Sequence, residues 1–583
     1  GDRIRVLNNA GASVDASGLS YDHAVPVDPL VVERVEVLRG PAALLYGGSA
    51  VGGVVNAIDN RIPRSAVTRP TGSVELRGGG AAGERGAGAL IEAGGSGFAV
   101  HADAFSRRTD DLRVPSYDRP VDGGGSERSR RVVNSGSRAE GGAFGGSMVW
   151  DHGYLGASLD TYRNRYGVVA EDDVTIGMQR DKFALAGEVR GLGGPVRALR
   201  ARLQHTDYEH REIEGTGEVG TTFGSRGSEL RVEAEHRAVS LAGTSLRGVF
   251  GVQVEGTRAS ALGEEAFVPN ARTRQAALFA LEELAVGATR WIVGARVERT
   301  RIASDGDAPG ATDPRFGARQ SRSFGTGSAS LGAVHELSAH WQFSGSLAYT
   351  ERAPTYYELY ANGLHIATAA FERGDAALAK EKGANVDLAV QWKGGSRRVK
   401  LGAWASRFSN YVALLRSGEP DVVDDGEAFP LYAYSGVPAR LHGVELEGQW
   451  RVLHGAQALD LDGKLDWQRA TNRASGEPLP RIAPLRVTLG ATLAAGDWKA
   501  RAEVVHTARQ SRVPADDTAT GSHTLVHLSA SRGLRLGQSE ALLFARLTNV
   551  GNALAYNAAT IASVRALSPL PGRALSAGLQ VAF

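Results

Sequence analysis

Apolar and polar residues alternate with period two in one segment of this chain after another. Within residues 458–467, Leu459, Leu461, Gly463, Leu465 and Trp467 share one face, and Asp460, Asp462, Lys464 and Asp466 share the other. Residues 443–452 set Val444, Leu446, Gly448, Trp450 and Val452 against Glu445, Glu447, Gln449 and Arg451. Residues 230–238 set Leu230, Val232, Ala234 and Ala238 against Arg231, Glu233, Glu235 and Arg237. The rhythm recurs at 291–297, 341–349, 386–392 and 485–493. Successive side chains of a strand point to opposite faces, so each segment predicts a strand with one apolar and one charged surface.

A soluble sandwich also alternates, but two features favour a membrane barrel. The polar faces are densely charged, as a water-filled lumen requires. Trp291, Trp341, Tyr349, Trp392, Trp450, Trp467 and Trp498 sit at the ends of apolar rows, where interfacial girdles form. No stretch approaches the ~18 consecutive apolar residues of a spanning helix. Strands are the other structure that satisfies its backbone in lipid. At the end of the chain, Leu575, Ala577, Leu579, Val581 and Phe583 fall in one register. That ending resembles the closing strand of bacterial outer-membrane proteins.

Composition narrows the function. The 583 residues carry 66 Lys and Arg against 64 Asp and Glu, a balance that argues against nucleic-acid binding. Cysteine is absent, which excludes thiolate metal sites, disulfides and cysteine nucleophiles. Glycine is abundant at 75 residues, without a collagen repeat, and suits a chain of many strands and turns. The first five residues hold no apolar core of a signal peptide.

Residues 1–66 read differently from the rest. Pro26 and Pro29 precede an extended stretch at 30–39, the Gly-rich run 40–48 follows, and an apolar run occupies 51–58. Short strands or a short helix joined by glycine turns are expected there. A fair first long strand begins at Gly72-Ser73-Val74-Glu75-Leu76-Arg77.

Val35-Glu36-Val37-Leu38-Arg39-Gly40-Pro41-Ala42-Ala43-Leu44-Leu45-Tyr46-Gly47 resembles the plug signature of TonB-dependent outer-membrane receptors. Residues 349–360 resemble the family's strand leading into an external loop, and Leu547-Thr548-Asn549-Val550-Gly551-Asn552 its penultimate-strand motif. The resemblance implies an all-β fold: a 22-stranded antiparallel transmembrane β-barrel, residues 67–583, enclosing an N-terminal plug, residues 1–66. It also implies a Gram-negative outer-membrane location, contact with lipid, a monomer, and energy from the TonB–ExbB–ExbD complex. Family plugs are longer and begin with a TonB-binding segment, so this plug is expected to be truncated at its N-terminus. Glu33, Arg34, Glu36 and Arg39 are expected to pair with charges of the lumen wall.

Cargo is sought among the 14 histidines, since imidazole is the commonest transition-metal ligand in a chain without cysteine. His236, His442 and His506 share register with apolar rows, and His335, His340 and His454 lie near strand ends without a distinctive acidic partner. Three places are richer: Asp22-His23 on a plug turn, the acidic run 206–214, and His365 in a loop. Singly, they read as a turn, a solvated charge run and a loop histidine.

Together, residues 21–24, 207–212 and 358–368 are similar to zinc-uptake receptors of the neisserial type. That resemblance implies a zinc ion held between plug and barrel by Asp22, His23, Glu212 and His365. Two imidazoles and two carboxylates suit four-coordinate zinc, although Cu(II) binds such ligands more tightly. The relatives' long metal-gathering insertion is missing at residues 166–174, where only Glu171, Asp172 and Asp173 remain as capture groups. His205 and His210 are further, weaker ligand candidates near Glu212.

Zinc is then cargo, and no catalytic cofactor is expected. The alternative cargo is haem or a ferric siderophore, for which Tyr356, Tyr357 and His365 offer groups. A passive porin or an adhesin leaves the plug signature unexplained. No Ser/His/Asp set stands at a recognisable spacing, so no enzyme is expected.

Overall fold

The computed structural model describes every residue except 1–2, 49–51, 122, 242, 264–265, 311–313 and 425. Val51, at the head of the apolar run read as a plug strand, lies outside the described residues. Twenty-two long antiparallel strands close into one barrel, as the alternating rows require. Three short strands, Val239–Leu241, Asn362–His365 and Ala370–Arg373, are appended at its rims. The first long strand, Thr71–Gly79, pairs with the last, Ala574–Ala582, with Val74 opposite Val581, so no edge is left open.

The exposure of each strand is the reverse of a soluble protein. Leu230 faces outward while the next residue, Arg231, is buried, and Leu278 and Val297 are each 58% exposed. Lipid covers the apolar rows, and the charged rows point into the lumen. Leu278 lies near the middle of Ala271–Val286, opposite Val297. Leu278→Arg is therefore expected to destabilise the barrel by about 2–4 kcal/mol, the cost of a cation at the bilayer midplane. Denaturant titration of the folded protein in vesicles measures it, and a loss below about 1 kcal/mol would contradict a lipid-facing Leu278.

One rim carries short turns, such as 151–152, 287–288 and 496–497. The other carries long connections, such as 353–380 and 549–573. Short turns mark the periplasmic rim and long loops the external one. Trp150, Trp291, Trp341, Trp392, Trp450 and Trp498 all lie near the short-turn rim, with Trp341 directly opposite Trp392. They form the periplasmic aromatic girdle.

Inside the barrel sits a four-stranded sheet in the order Gly11–Ala12, Ile4–Asn8, Gly53–Ile58, Arg34–Leu38. The strands Ile4–Asn8 and Gly53–Ile58 run parallel. The plug signature forms a 3-10 helix, Pro41–Tyr46, flanked by Gly40 at φ 75° and Gly47 at φ 127°, conformations that side chains resist. Leu7, Ala43 and Val54 form its small core.

The expected plug charges are corrected by the structure. Of the four, only Arg39 reaches the wall, at Glu445 (2.8 Å), while Arg34 pairs with its own neighbours Glu33 and Glu36. These three lie in or beside an exposed edge strand of the sheet. The wall is instead met by Arg3 with Glu381, Arg5 with Glu255, Asp28 with Arg107 and Arg61 with Asp103.

Candidate metal centre

Three separate parts of the chain meet below the external loops. The plug segment 15–24 is a chain of turns: the Asp15 carboxylate accepts from the Ser17 backbone N–H at 2.9 Å. It is fastened to the wall by Tyr357 Oη donating to the Gly18 carbonyl (3.1 Å), Tyr21 Oη to the Ala367 carbonyl (2.6 Å) and Ala24 N–H to Tyr166 Oη (3.0 Å). These bonds hold His23 buried against the wall.

The second part is the strand Val196–Ile213. Its alternation buries Gln204, Thr206, Tyr208 and His210 in the lumen, with Glu212 next on the same face. The third is the hairpin Asn362–His365 with Ala370–Arg373, which begins directly after a helix, Tyr356–Tyr360, capped by Thr355 and Glu358.

His23 Nδ1 is 3.0 Å from the Ala16 carbonyl, an acceptor only, so this nitrogen carries the proton and Nε2 presents a lone pair. His23 Nε2 lies 3.9 Å from Asp22 Oδ2 and 3.8 Å from Glu212 Oε1. Burial lowers the basicity of His23, but Asp22, Glu212 and the Ala16 carbonyl outweigh it and hold the imidazole above its ordinary value. The site thus favours positive charge at this ring, carried by a proton or a metal.

His365 is held differently. Its Nδ1 is 2.7 Å from Glu372 Oε1, its Nε2 is 2.8 Å from Ser20 Oγ, and its ring stacks on Phe267 with centroids 4.1 Å apart. Ser20 Oγ also bonds Asp22. The plug hydroxyl therefore bridges two of the expected ligands, and a metal at His365 Nε2 has to displace it.

Asp22, His23, Glu171, Glu212 and His365 line one cavity of about 20 Å³, closed by Phe223 and Phe267 and by the loop 168–174. That loop is clamped by Asn134, whose amide donates to the carbonyls of Val168 (3.1 Å), Glu171 (2.7 Å) and Val174 (2.6 Å). Such a volume admits one water-sized occupant. Separately, the donor atoms of His23, His210 and Glu212 lie within 4.8 Å of one another.

Three expected residues are elsewhere. His205 is exposed on the outer face of its strand and bonds Ser228 Oγ at 2.8 Å. It is seven residues from Glu212, an odd number that puts the two on opposite faces. Asp172 and Asp173 are exposed and do not line the cavity, and Asp172 pairs with Arg119. Sequence reasoning overlooked Ser20, Tyr208, Phe223, Phe267 and Glu372. The spacing of Tyr208, His210 and Glu212 carried the signal for Tyr208, whereas Glu372 meets His365 only through the hairpin.

Residues 134–550 match the family model for the TonB-dependent receptor-like β-barrel, and residues 2–54 match the TonB-dependent receptor plug domain. The chain is 36% identical over 72 residues to the ferrichrome outer membrane transporter/phage receptor of Escherichia coli (strain K12), 12% of this chain and 9% of that protein. It is 42% identical over 57 residues to the vitamin B12 transporter BtuB of Vibrio vulnificus (strain CMCP6), 10% of this chain and 8% of that one. The matched stretches thus span less than a tenth of these curated relatives. Among solved structures, the copper transporter OprC aligns with a TM-score of 0.83 at 17% identity, covering 100% of this chain and 92% of that one. The FrpB iron transporter from Neisseria meningitidis aligns at 0.76 and 13% identity, covering 100% and 92%. At these identities the likeness establishes the fold.

Proposed function

Since the chain belongs to the TonB-dependent receptor family, an outer-membrane family of plugged barrels, we propose that it imports a divalent transition cation, zinc first, through the cavity between plug and wall. The observation carrying this reading is a buried cavity of about 20 Å³ to which plug and barrel each contribute imidazole and carboxylate groups. Tetrahedral zinc at ~2.1 Å from its donors places them ~3.4 Å apart. The 3.8 and 3.9 Å separations around His23 are close to that, whereas Asp22 and His365 have to move in, since among the described residues the donor atoms grouped within 4.8 Å of one another are those of His23, His210 and Glu212.

The ligands of the proposed site are Asp22 and His23 from the plug, with Glu212 and His365 from the barrel. From the loop 168–174, Glu171 is the carboxylate that lines the cavity, placed to receive a cation entering from outside. Plug movement driven by TonB–ExbB–ExbD would withdraw two of four ligands at once. Affinity then collapses when the periplasmic path opens, which couples release to energy input. Cu(II) fits the same donors and binds more tightly in general, so selectivity for zinc would lie in geometry and metal availability.

The test is calorimetry of the purified protein with zinc, alongside haemin and a ferric catecholate siderophore, and growth of the host with and without the gene under zinc limitation. Zinc binding with a micromolar or lower Kd, and a growth defect relieved by added zinc, are expected. Binding of haemin or the siderophore without zinc binding would replace this reading with the haem or siderophore one.

A further inference from the structure

We propose that His210 is a metal ligand, holding with His23 and Glu212 an inner cation position on the periplasmic side of Glu212. This rests on the reading of the cavity as a cation site. His210 precedes Glu212 by two residues on Val196–Ile213, so both face the lumen. The strand rises from the short turn 191–195 towards the external rim at the usual barrel tilt, so the His210 backbone is ~5 Å nearer the periplasm than that of Glu212.

The imidazole is 0% exposed, and its Nε2 is buried without a hydrogen-bond partner. A buried polar nitrogen left unmet is costly, so a water or a cation is expected against it. Its other nitrogen, Nδ1, lies 2.9 Å from Tyr208 Oη. With the Nδ1 proton donated to that oxygen, Nε2 offers a lone pair, the arrangement by which ligating histidines are oriented through their second nitrogen. His210 sits 4.3 Å from the His23 ring and 4.8 Å from the Phe223 ring, centroid to centroid, so packing confines it to this orientation.

The three donor atoms lie within 4.8 Å of one another, against ~3.4 Å in a tetrahedral zinc site. Glu212 and His210 belong to the rigid wall, so closure falls to His23 on the plug. The two positions share His23 and Glu212 and differ in their remaining ligands, Asp22 and His365 outside, His210 inside. A cation that exchanges Asp22 and His365 for His210 keeps Glu212, and the wall keeps two ligands after the plug has withdrawn.

The experiment measures zinc by calorimetry and Co(II) by its visible d–d absorption in the full chain, with unheated gel mobility as the folding control. His210→Gln is expected to weaken zinc binding at least tenfold and to change the Co(II) spectrum. Tyr208→Phe, which removes only the orienting oxygen, should weaken binding less. In a His365→Ala background, His210→Gln should remove the binding that remains. If His210→Gln folds and leaves both affinity and spectrum unchanged while His23→Ala abolishes binding, the cation site stands and the role of His210 falls, its nitrogen met by water only. If the native protein binds neither zinc nor cobalt, both readings fall.

Discussion

Zinc binding is expected to fall at least ~100-fold in His23→Ala, a larger loss than at any other ligand, because Asp22, Glu212 and His210 all approach this ring. Its Nε2 stands 3.9 Å from Asp22 and 3.8 Å from Glu212, and the same ring belongs to the cluster with His210. Losing it removes a donor from the proposed outer position and from the inner one alike.

His23 also fastens its own turn through the Ala16 carbonyl, so a loss of binding in the alanine variant has two origins to separate. His23→Asn separates them. Its side-chain amide can donate to the same carbonyl but offers no imidazole nitrogen. If affinity falls equally in both variants, the loss comes from the missing ligand. If the asparagine variant binds zinc within about threefold of the native protein, the site does not depend on the His23 imidazole.

The barrel was legible because lipid and lumen impose opposite demands on alternate residues, and a period of two survives loop and turn variation. The rows at 458–467 and 443–452 fall within the strands Gln457–Asn472 and Leu431–Leu453, longer than the apolar rows themselves. The extra length lies where the strands extend toward the loops, beyond the reach of the lipid pattern. Alternation also carried more about the site than its residue types did. It puts His210 with Glu212 and excludes His205, which side-chain chemistry alone cannot separate.

The plug resisted the same treatment. Its strands are short and surrounded by wall, so neither period nor charge marks which face meets the barrel. Glu33, Arg34 and Glu36 look like anchors because they are charged, yet they occupy the edge of the sheet and pair locally. Arg3 and Arg5 carry no distinguishing pattern and are the anchors, because Ile4–Asn8 runs where the wall presents Glu381 and Glu255. The Ser20 bridge and the Glu372 contact to His365 are likewise products of tertiary approach.

That seating leads to the second large effect. Glu381 is 1% exposed and accepts from Arg3 Nε at 3.0 Å, Arg352 Nη2 at 3.4 Å and the Val412 backbone N–H at 3.0 Å. Arg3 in turn lies over the Tyr411 ring, 3.6 Å from its centroid. Glu381→Ala leaves a guanidinium from the plug and one from the wall facing each other in a buried space, and is expected to cost about 3–5 kcal/mol. Arg352 retains Glu358, with both contacts at 2.9 Å, so the plug side bears most of the loss.

Arg3→Met makes the asymmetry measurable. It removes the plug charge while Glu381 keeps Arg352 and the Val412 N–H, and the methionine still fills the space against Tyr411. It should therefore cost clearly less than Glu381→Ala, and adding it to Glu381→Ala should recover part of the loss. Limited proteolysis of the plug and thermal unfolding of the purified protein report both variants. Equal destabilisation by the two single changes, with no recovery in the pair, would mean that the seat is held by packing on Tyr411 and not by the buried carboxylate.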